Sequence, residues 1–139
     1  MIEVRKATAE DIASIEVHPK ILESDPNAKD RVALANGVYV AKYNGETLFV
    51  FGFTSMLPGV LDAWSITTPA VSKYPKAYFT VMKTILNRGI EGVHRIQATV
   101  YIDFKESAAC LSRLNFSLEG TLKAYGPTKK DFYMFGRVY

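Results

Sequence analysis

Residues 60–67, VLDAWSIT, and residues 75–102, PKAYFTVMKTILNRGIEGVHRIQATVYI, decide the fold. The first is short, rich in β-branched and aromatic residues, and preceded by the turn triplet Leu57-Pro58-Gly59, which is a strand signature. In the second, Phe79, Met82, Ile85 and Leu86 recur at helical spacing from Pro75 to Arg88, and Gly89 stands where a helix-ending glycine belongs. His94 to Ile102 then places Ile96, Ala98, Val100 and Ile102 on one side of a strand. Strand, helix and strand in that order imply a right-handed crossover between parallel strands, with the helix on one face of the sheet.

Upstream of this unit the period is two. Val38 and Val40 alternate with Tyr39 and Ala41, Asn44-Gly45 is a hairpin dipeptide, and Thr47 to Thr54 is the returning strand. Gly52 inside that strand marks a bulge or a close backbone approach. With Val60–Thr67 these segments form a three-stranded antiparallel meander. At the start of the chain Ile2 and Val4 make a short strand, and Thr8-Ala9-Glu10-Asp11 resembles a capping box. Ile12, Ile15 and Val17 would be the stripe of one short helix, stopped at His18-Pro19. Ser24-Asp25-Pro26-Asn27 is a turn cluster, and residues 30–35 are expected to add one or two helical turns ended by Asn36-Gly37. Downstream, Asp103-Phe104-Lys105-Glu106 reads as an N-cap with Glu at N3, and Ala108, Leu111 and Leu114 form the buried stripe of a helix. Phe116 to Ala124 and Phe132 to Tyr139 close the chain as strands. The expected class is α+β, with a mixed, mostly antiparallel sheet flanked by helices. Such a sheet splays where its parallel pair begins, and a splay exposes backbone groups that bind an extended ligand.

Composition narrows the partners. The 139 residues suit a single domain over 1–139, and 48% hydrophobic content excludes a disordered or collagen-like chain. Seventeen Lys and Arg against fourteen Asp and Glu leave a formal charge of +3, too slight an excess for a dedicated nucleic-acid binder. Lys123, Tyr125, Lys129 and Lys130 are likewise too few for a basic stacking surface. A lone cysteine, Cys110, fits a reducing compartment. No apolar run follows Met1–Lys6 and none approaches the ~18 residues of a membrane span, so a cytoplasmic protein with no membrane partner is expected. No His/Cys cluster has metal-ligand spacing, so no metal is expected. Eight Tyr, eight Phe and one Trp are read mainly as core, since each buries ~150–250 Å².

The element order and several segments resemble the GNAT superfamily of N-acetyltransferases, whose members move an acetyl group from acetyl-CoA to an amine. The resemblance covers nearly the whole chain. Its local support is Ala108–Gly120, where Leu114-Asn115-Phe116 stands for the family's Leu-Gly-Phe and Glu119-Gly120 matches its Glu-Gly. Asn for Gly is mild, because Asn tolerates left-handed backbone at a helix end. Val4–Asp11 is similar to the family's first strand and helix start. The phosphate loop departs from the pattern. The family's Arg/Gln-x-x-Gly-x-Gly/Ala corresponds to Lys73-Tyr74-Pro75-Lys76-Ala77-Tyr78, with a cation kept at Lys73 and the small positions taken by Lys76 and Tyr78. This departure, with Trp64-Ser65-Ile66-Thr67-Thr68, resembles more specifically the acetyltransferase-like proteins encoded by tailed phages.

The resemblance implies a set of roles. Main-chain groups of Ser65, Ile66 and Thr67 would hold the pantetheine arm of acetyl-CoA, and Lys73, Lys76, Ala77 and Lys105 would lie at its phosphates. Asp62, on the presumed fourth strand, is the best-placed carboxylate for a general base. Tyr101 and Asp103, at the end of the fifth strand, would hold a water or the substrate amine, and Asp103 also has a structural reason as an N-cap. The family's tyrosine acid falls at Leu111, which has no proton to give, and Cys110 beside it reads as buried filler. His18 and His94 are expected at loop edges away from the splay. Two functions follow: an acetyl-CoA-dependent N-acetyltransferase acting on an amine of a small molecule or protein, or a catalytically inactive GNAT-fold phage protein serving virion assembly or interaction. The acceptor and the oligomeric state are not encoded in any readable motif, and a homodimer is left open.

Overall fold

The computed structural model describes residues 1–33 and 37–139. The expected end of a helix at Ala35 and Asn36 lies outside the described residues. In chain order the elements are β1 (Ile2–Lys6), α1 (Ala9–Ala13), α2 (Pro19–Ser24), α3 (Ala28–Ala33), β2 (Tyr39–Tyr43), β3 (Glu46–Leu57) and β4 (Val60–Thr67). A 3-10 turn over Pro69–Lys73 leads into α4 (Pro75–Arg88), β5 (Arg95–Tyr101), α5 (Lys105–Arg113), β6 (Ser117–Leu122) and β7 (Phe132–Val138). The strands form one seven-stranded sheet in the order β1-β2-β3-β4-β5-β7-β6. Every neighbouring pair is antiparallel except β4 and β5. This is the mixed α+β architecture that the crossover unit predicts.

Alternation along the strands divides the core between the two faces. Val40, Val50 and Ile66 lie side by side through the registers of β2, β3 and β4 and pack with Ile15, Val17, Ala28 and Val32. Ala41, Phe49, Ile96, Ala98 and Val100 belong to the larger cluster, with Ala77, Met82 and Leu86 of α4 and Leu114 after α5. Asn44 and Gly45 adopt φ of 49° and 81°, the left-handed pair that a tight hairpin requires. Asn115 has φ 65°, and the Asn115 and Phe116 amides donate to the carbonyls of Ser112 and Leu111, closing α5 with a Schellman motif. Gly52 is a close-approach position. A Cβ there would stand 2.5 Å from the Trp64 indole, whereas the register shifts lie elsewhere, at Ala41/Lys42 and Ser55/Leu57.

Two local expectations are corrected. The first helix ends at Ala13, and Ile15 and Val17 are buried from an irregular segment; Pro19 does not stop that helix but begins α2, where a missing N–H costs nothing. Asp103 does not cap α5. Phe104 takes the cap position without a side-chain bond, and Asp103 instead accepts a hydrogen bond from the Tyr101 hydroxyl at 3.0 Å.

The N-terminal corner is held by a buried carboxylate. Asp11 Oδ2 accepts from the Thr8 amide at 2.8 Å, and the Asp11 amide donates to the Thr8 hydroxyl at 3.2 Å, so the capping box is complete. Arg5 reaches the same carboxylate at 2.6 Å and Lys42 at 3.3 Å, tying β1 and β2 to α1. The Arg5 bond, followed by the Thr8 amide, holds the Asp11 carboxyl well below the usual carboxylate range. Asp11→Asn is expected to lower stability by about 2 kcal/mol at pH 7, short of a fully buried pair because Arg5 is partly exposed. The folded pKa is depressed, so the contribution is complete above about pH 4 and fades as the pH falls through the folded value. Urea melts at pH 7 and pH 2.5 check this: the gap between the two proteins must shrink at the lower pH.

Candidate functional site

The expected splay is present. β4 and β5 pair only at Val60↔Arg95, Leu61↔Ile96 and Asp62↔Gln97, although β4 continues to Thr67 and β5 to Tyr101. Both strands stay held on their outer edges, β4 by β3 as far as Thr67↔Phe49 and β5 by β7 as far as Tyr101↔Phe132. Between them lies a wedge with unpaired strand edges, open at the C-terminal ends of the parallel pair. Residues in register across neighbouring strands share a face, and alternate residues follow. Asp62, Trp64 and Ile66 therefore face the α1–α3 side with Gln97 and Tyr101, while Ser65 and Thr67 face α4 and α5.

Asp62 stands at the apex, on the last rung of the parallel pair. It is half-buried and has neither an ion pair nor a side-chain hydrogen bond among the described residues. Burial pushes its carboxyl up to about 6. Tyr101 is at the open end, 4% exposed, and its hydroxyl donates to Asp103 Oδ2. Burial, then the carboxylates of Asp103 and Glu23, raise its phenol to about 12. Asp62 and Tyr101 share a face but are not brought together, because Tyr101 lies four residues along β5 from the partner of Asp62, roughly 13 Å.

Along β4, the Ser65 hydroxyl is 3.0 Å from the Tyr78 hydroxyl, Ile66 is buried in the α1–α3 cluster, and the Thr67 hydroxyl is buried without a partner among the described residues. The Thr67 carbonyl accepts from the His18 amide at 2.9 Å. Lys73, on the 3-10 turn, reaches Glu46 at 3.4 Å, so its charge is partly matched. Lys76 is exposed in the first turn of α4 and borders a cavity of about 330 Å³ with Ile2, Tyr43 and Tyr74. Ala77 is buried under α4, and its amide donates to the Tyr74 carbonyl at 3.0 Å. Since Pro75 has no N–H, the Lys76 amide is the main-chain donor at that helix start without a partner among the described residues. Lys105 is exposed at the first position of α5 and makes no ion pair among the described residues.

Sequence reasoning missed two residues. His18 is not remote from the splay. It caps α2, where its Nδ1 accepts from the Lys20 amide at 3.1 Å, and its ring stacks on Phe104 at 4.9 Å. The His-Pro pair was readable as a helix start with Pro at N1. Tyr78 lies four residues before Met82 and eight before Leu86, so it continues the buried stripe of α4. Its ring packs on Phe49 at 4.8 Å, and burial raises its phenol to about 12. His94 sits at the loop edge, its ring against Gly59. Among the described residues no group of His, Cys, Asp or Glu is placed to hold a metal ion, and no helix is long and apolar enough to cross a membrane.

The Asp62 carboxyl is expected to titrate near pH 6 in a carboxyl-detected NMR titration; a midpoint near 4 would show that it is solvated. A raised folded pKa means that ionisation opposes folding, so wild-type stability falls as the pH rises from about 4 through 6. Asp62→Asn should accordingly melt above the wild type at pH 7.5 and alongside it near pH 4.

No protein-family model and no curated protein sequence matches the chain. Solved structures do match it. It is similar to an acetyltransferase of the GNAT family from Bacillus anthracis, with TM-score 0.77 and 13% identity over 99% of this chain and 94% of that one. It is similar also to the ribosomal-protein-alanine N-acetyltransferase from Brucella melitensis, with TM-score 0.75 and 17% identity over 99% of each. A third likeness is to the microcin C7 self immunity acetyltransferase MccE, solved in complex with acetyl-CoA and AMP. There the TM-score is 0.65 and the identity 16%, over 73% of this chain and 60% of that one. The chain has the GNAT acyl-CoA N-acyltransferase fold.

Proposed function

We propose that the protein is an N-acetyltransferase that takes its acetyl group from acetyl-CoA and delivers it to an amine. The observation that carries this reading is Asp62: an unpartnered, half-buried carboxylate, raised to about 6, at the apex of a splay with unpaired strand edges. A general base works best with a pKa near the operating pH, and burial has moved this one toward it. The buried, unpartnered Thr67 hydroxyl inside the splay and the cations near the start of α4 are suited to a polar arm that ends in phosphates. Acetyl-CoA would supply an acyl group already activated as a thioester.

The chain's own residues then divide the work. Asp62 accepts on a carboxylate oxygen the proton that an attacking amine must lose. Main-chain groups of Ser65, Ile66 and Thr67 hold the donor's arm along β4. Lys73, Lys76 and Lys105 neutralise its phosphates, Lys76 with the helix N–H beside it. Ala77, its amide already engaged, contributes a small side chain that lets α4 lie close to β4. Tyr101 with Asp103, too far from Asp62 to share one proton transfer, orients the acceptor or a water at the open end. The acceptor is an amine of a small molecule or a protein.

A second reading, a catalytically silent GNAT-fold module used in assembly or interaction, is favoured by two particulars. Leu111 holds the place of the proton donor that the family resemblance implies, and the Tyr78 hydroxyl occupies Ser65.

Calorimetric titration with acetyl-CoA separates the two. Binding is expected, and Lys73→Ala with Lys76→Ala should weaken it, more so at low salt; no heat at millimolar ligand would overturn the transferase reading. With turnover in hand, Asp62→Asn should lower kcat by roughly 10²–10⁴ near pH 7. The loss should be smaller near pH 9, where the amine sheds its own proton, and a loss constant with pH would remove Asp62 as the base.

A further inference from the structure

We infer that the acceptor is an amine carried on an extended peptide segment of a protein, which lies across the uncovered half of the sheet face that holds Asp62. The inference rests on the transferase reading proposed above and names the acceptor class of that site. Residues of α1–α3 pack over Val40, Val50 and Ile66, so they cover β2, β3 and the far end of β4. Beyond Trp64 the same face has no such cover among the described residues. On β5, Ile96, Ala98 and Val100 are buried in the α4 cluster, whereas Arg95, Gln97 and Thr99, on the Asp62 side, are not buried. Two rows of strand register cross this floor. One runs through Thr54, Asp62, Gln97 and Gly136, the other through Leu57, Val60, Arg95 and Val138. Thr54 is exposed, as are 65% of Leu57 and 72% of Val138.

The floor has one wall and one closed end. The α1–α3 segment stands along it. At the far end α2 is fixed to β4 by the His18 amide on the Thr67 carbonyl, and to the β6–β7 loop by the Thr128 hydroxyl, which donates to the Ser24 carbonyl at 3.1 Å. A small-molecule site encloses most of its ligand's surface, but this floor is open toward β6 and at Leu57 and Val138. From β4 to β6 it is roughly 14 Å across, room for one extended chain. Its charges select the chain. Arg95 gives its guanidinium to Glu119 at 2.6 and 2.9 Å and its Nε to Gln97 at 3.1 Å, so it is not free for a phosphate backbone. Among the described residues, Asp62 is the one carboxylate of the floor with no cation beside it. The occupant therefore brings one positive group, the amine, to Asp62 and lays apolar residues toward Leu57 and Val138. Contacts of that kind, remote from the reacting atoms, hold the amine in place for transfer.

The test measures thiol release from acetyl-CoA by the full chain with two acceptor pools. One is a pool of random peptides of about twelve residues, with free α-amines and lysines. The other is the same pool hydrolysed to amino acids, which has the same amines and no chain behind them. The kcat/KM on the peptides should exceed that on the amino acids by about tenfold or more, because a truncated substrate loses its remote contacts. Val138→Arg, roughly 12 Å from Asp62 by strand spacing and register, should lower the rate on peptides by about tenfold. Leu57→Ser should lower it by about threefold. Both variants should leave the rate on amino acids and the calorimetric affinity for acetyl-CoA unchanged. Amino acids acetylated as well as peptides, or peptide rates that both folded variants leave untouched, overturn the inference and leave the transferase reading standing. Acetyl-CoA binding with no acetylation of the peptides does the same. If Val138→Arg does not fold, an unchanged peptide rate in Leu57→Ser overturns it alone. No binding of acetyl-CoA by the wild type overturns both.

Discussion

The rest of the molecule depends on the short pairing of β4 with β5. Three rungs join the strands, and beyond Asp62 each is claimed by its outer neighbour, β4 by β3 and β5 by β7. A twisted sheet can meet both claims only by letting the parallel pair diverge. Divergence leaves main-chain groups on β4 without strand partners inside the protein, and such groups must find other partners or stay solvated. At the open end the His18 amide takes the Thr67 carbonyl. On the α4 side Tyr78 takes the Ser65 hydroxyl. Groups of β4 thus find partners at the cap of α2 and on α4.

Rigid supports on both sides keep the wedge from closing. The Asp11 carboxylate binds β1, β2 and α1 into one corner through Arg5, Lys42 and Thr8. Trp64, on the face opposite Tyr78, lies on Gly52 so closely that no side chain fits between them, which fixes β4 to β3 on that face. Across β5 and β7 the bidentate pair of Arg95 with Glu119, at 2.6 and 2.9 Å, arches over Gly136 and ties the far edge strand β6 to the parallel pair. Glu119 thus has a structural task independent of any ligand.

The fold was legible because its decisive signals are local. Helical spacing between two strands, Asn44-Gly45, Gly89 and Leu114-Asn115-Phe116 each state a backbone requirement that only a few residues meet, and φ of 65° at Asn115 is that requirement seen directly. The splay followed from topology alone. The short N-terminal helices were harder to read, because a few apolar residues at mixed spacing fit an irregular buried segment as well as a helix, and Ile15 and Val17 took the former. Asp103 was misread for a related reason: an acidic residue before a helix is a cap only if its backbone sits one position nearer, and here the Tyr101 hydroxyl competed for it. The site was legible as a list of positions and not as contacts. Nothing in the spacing of Ser65 and Tyr78 announces that their hydroxyls meet, since thirteen residues and a helical crossover separate them.

The raised carboxyl of Asp62 and the bound hydroxyl of Tyr78 are two consequences of one geometry. Where strands part, side chains lose the ladder's neighbouring dipoles, and whatever remains is desolvated without being compensated. A carboxylate there is pushed toward neutrality, and a hydroxyl there pairs with the nearest phenol. The desolvation of Asp62 and the pairing of the Ser65 and Tyr78 hydroxyls cannot be tuned separately by moving strands. They can be tuned by side chains, and position 78 is where this sequence has departed from the small residue that the fold's phosphate-loop resemblance implies.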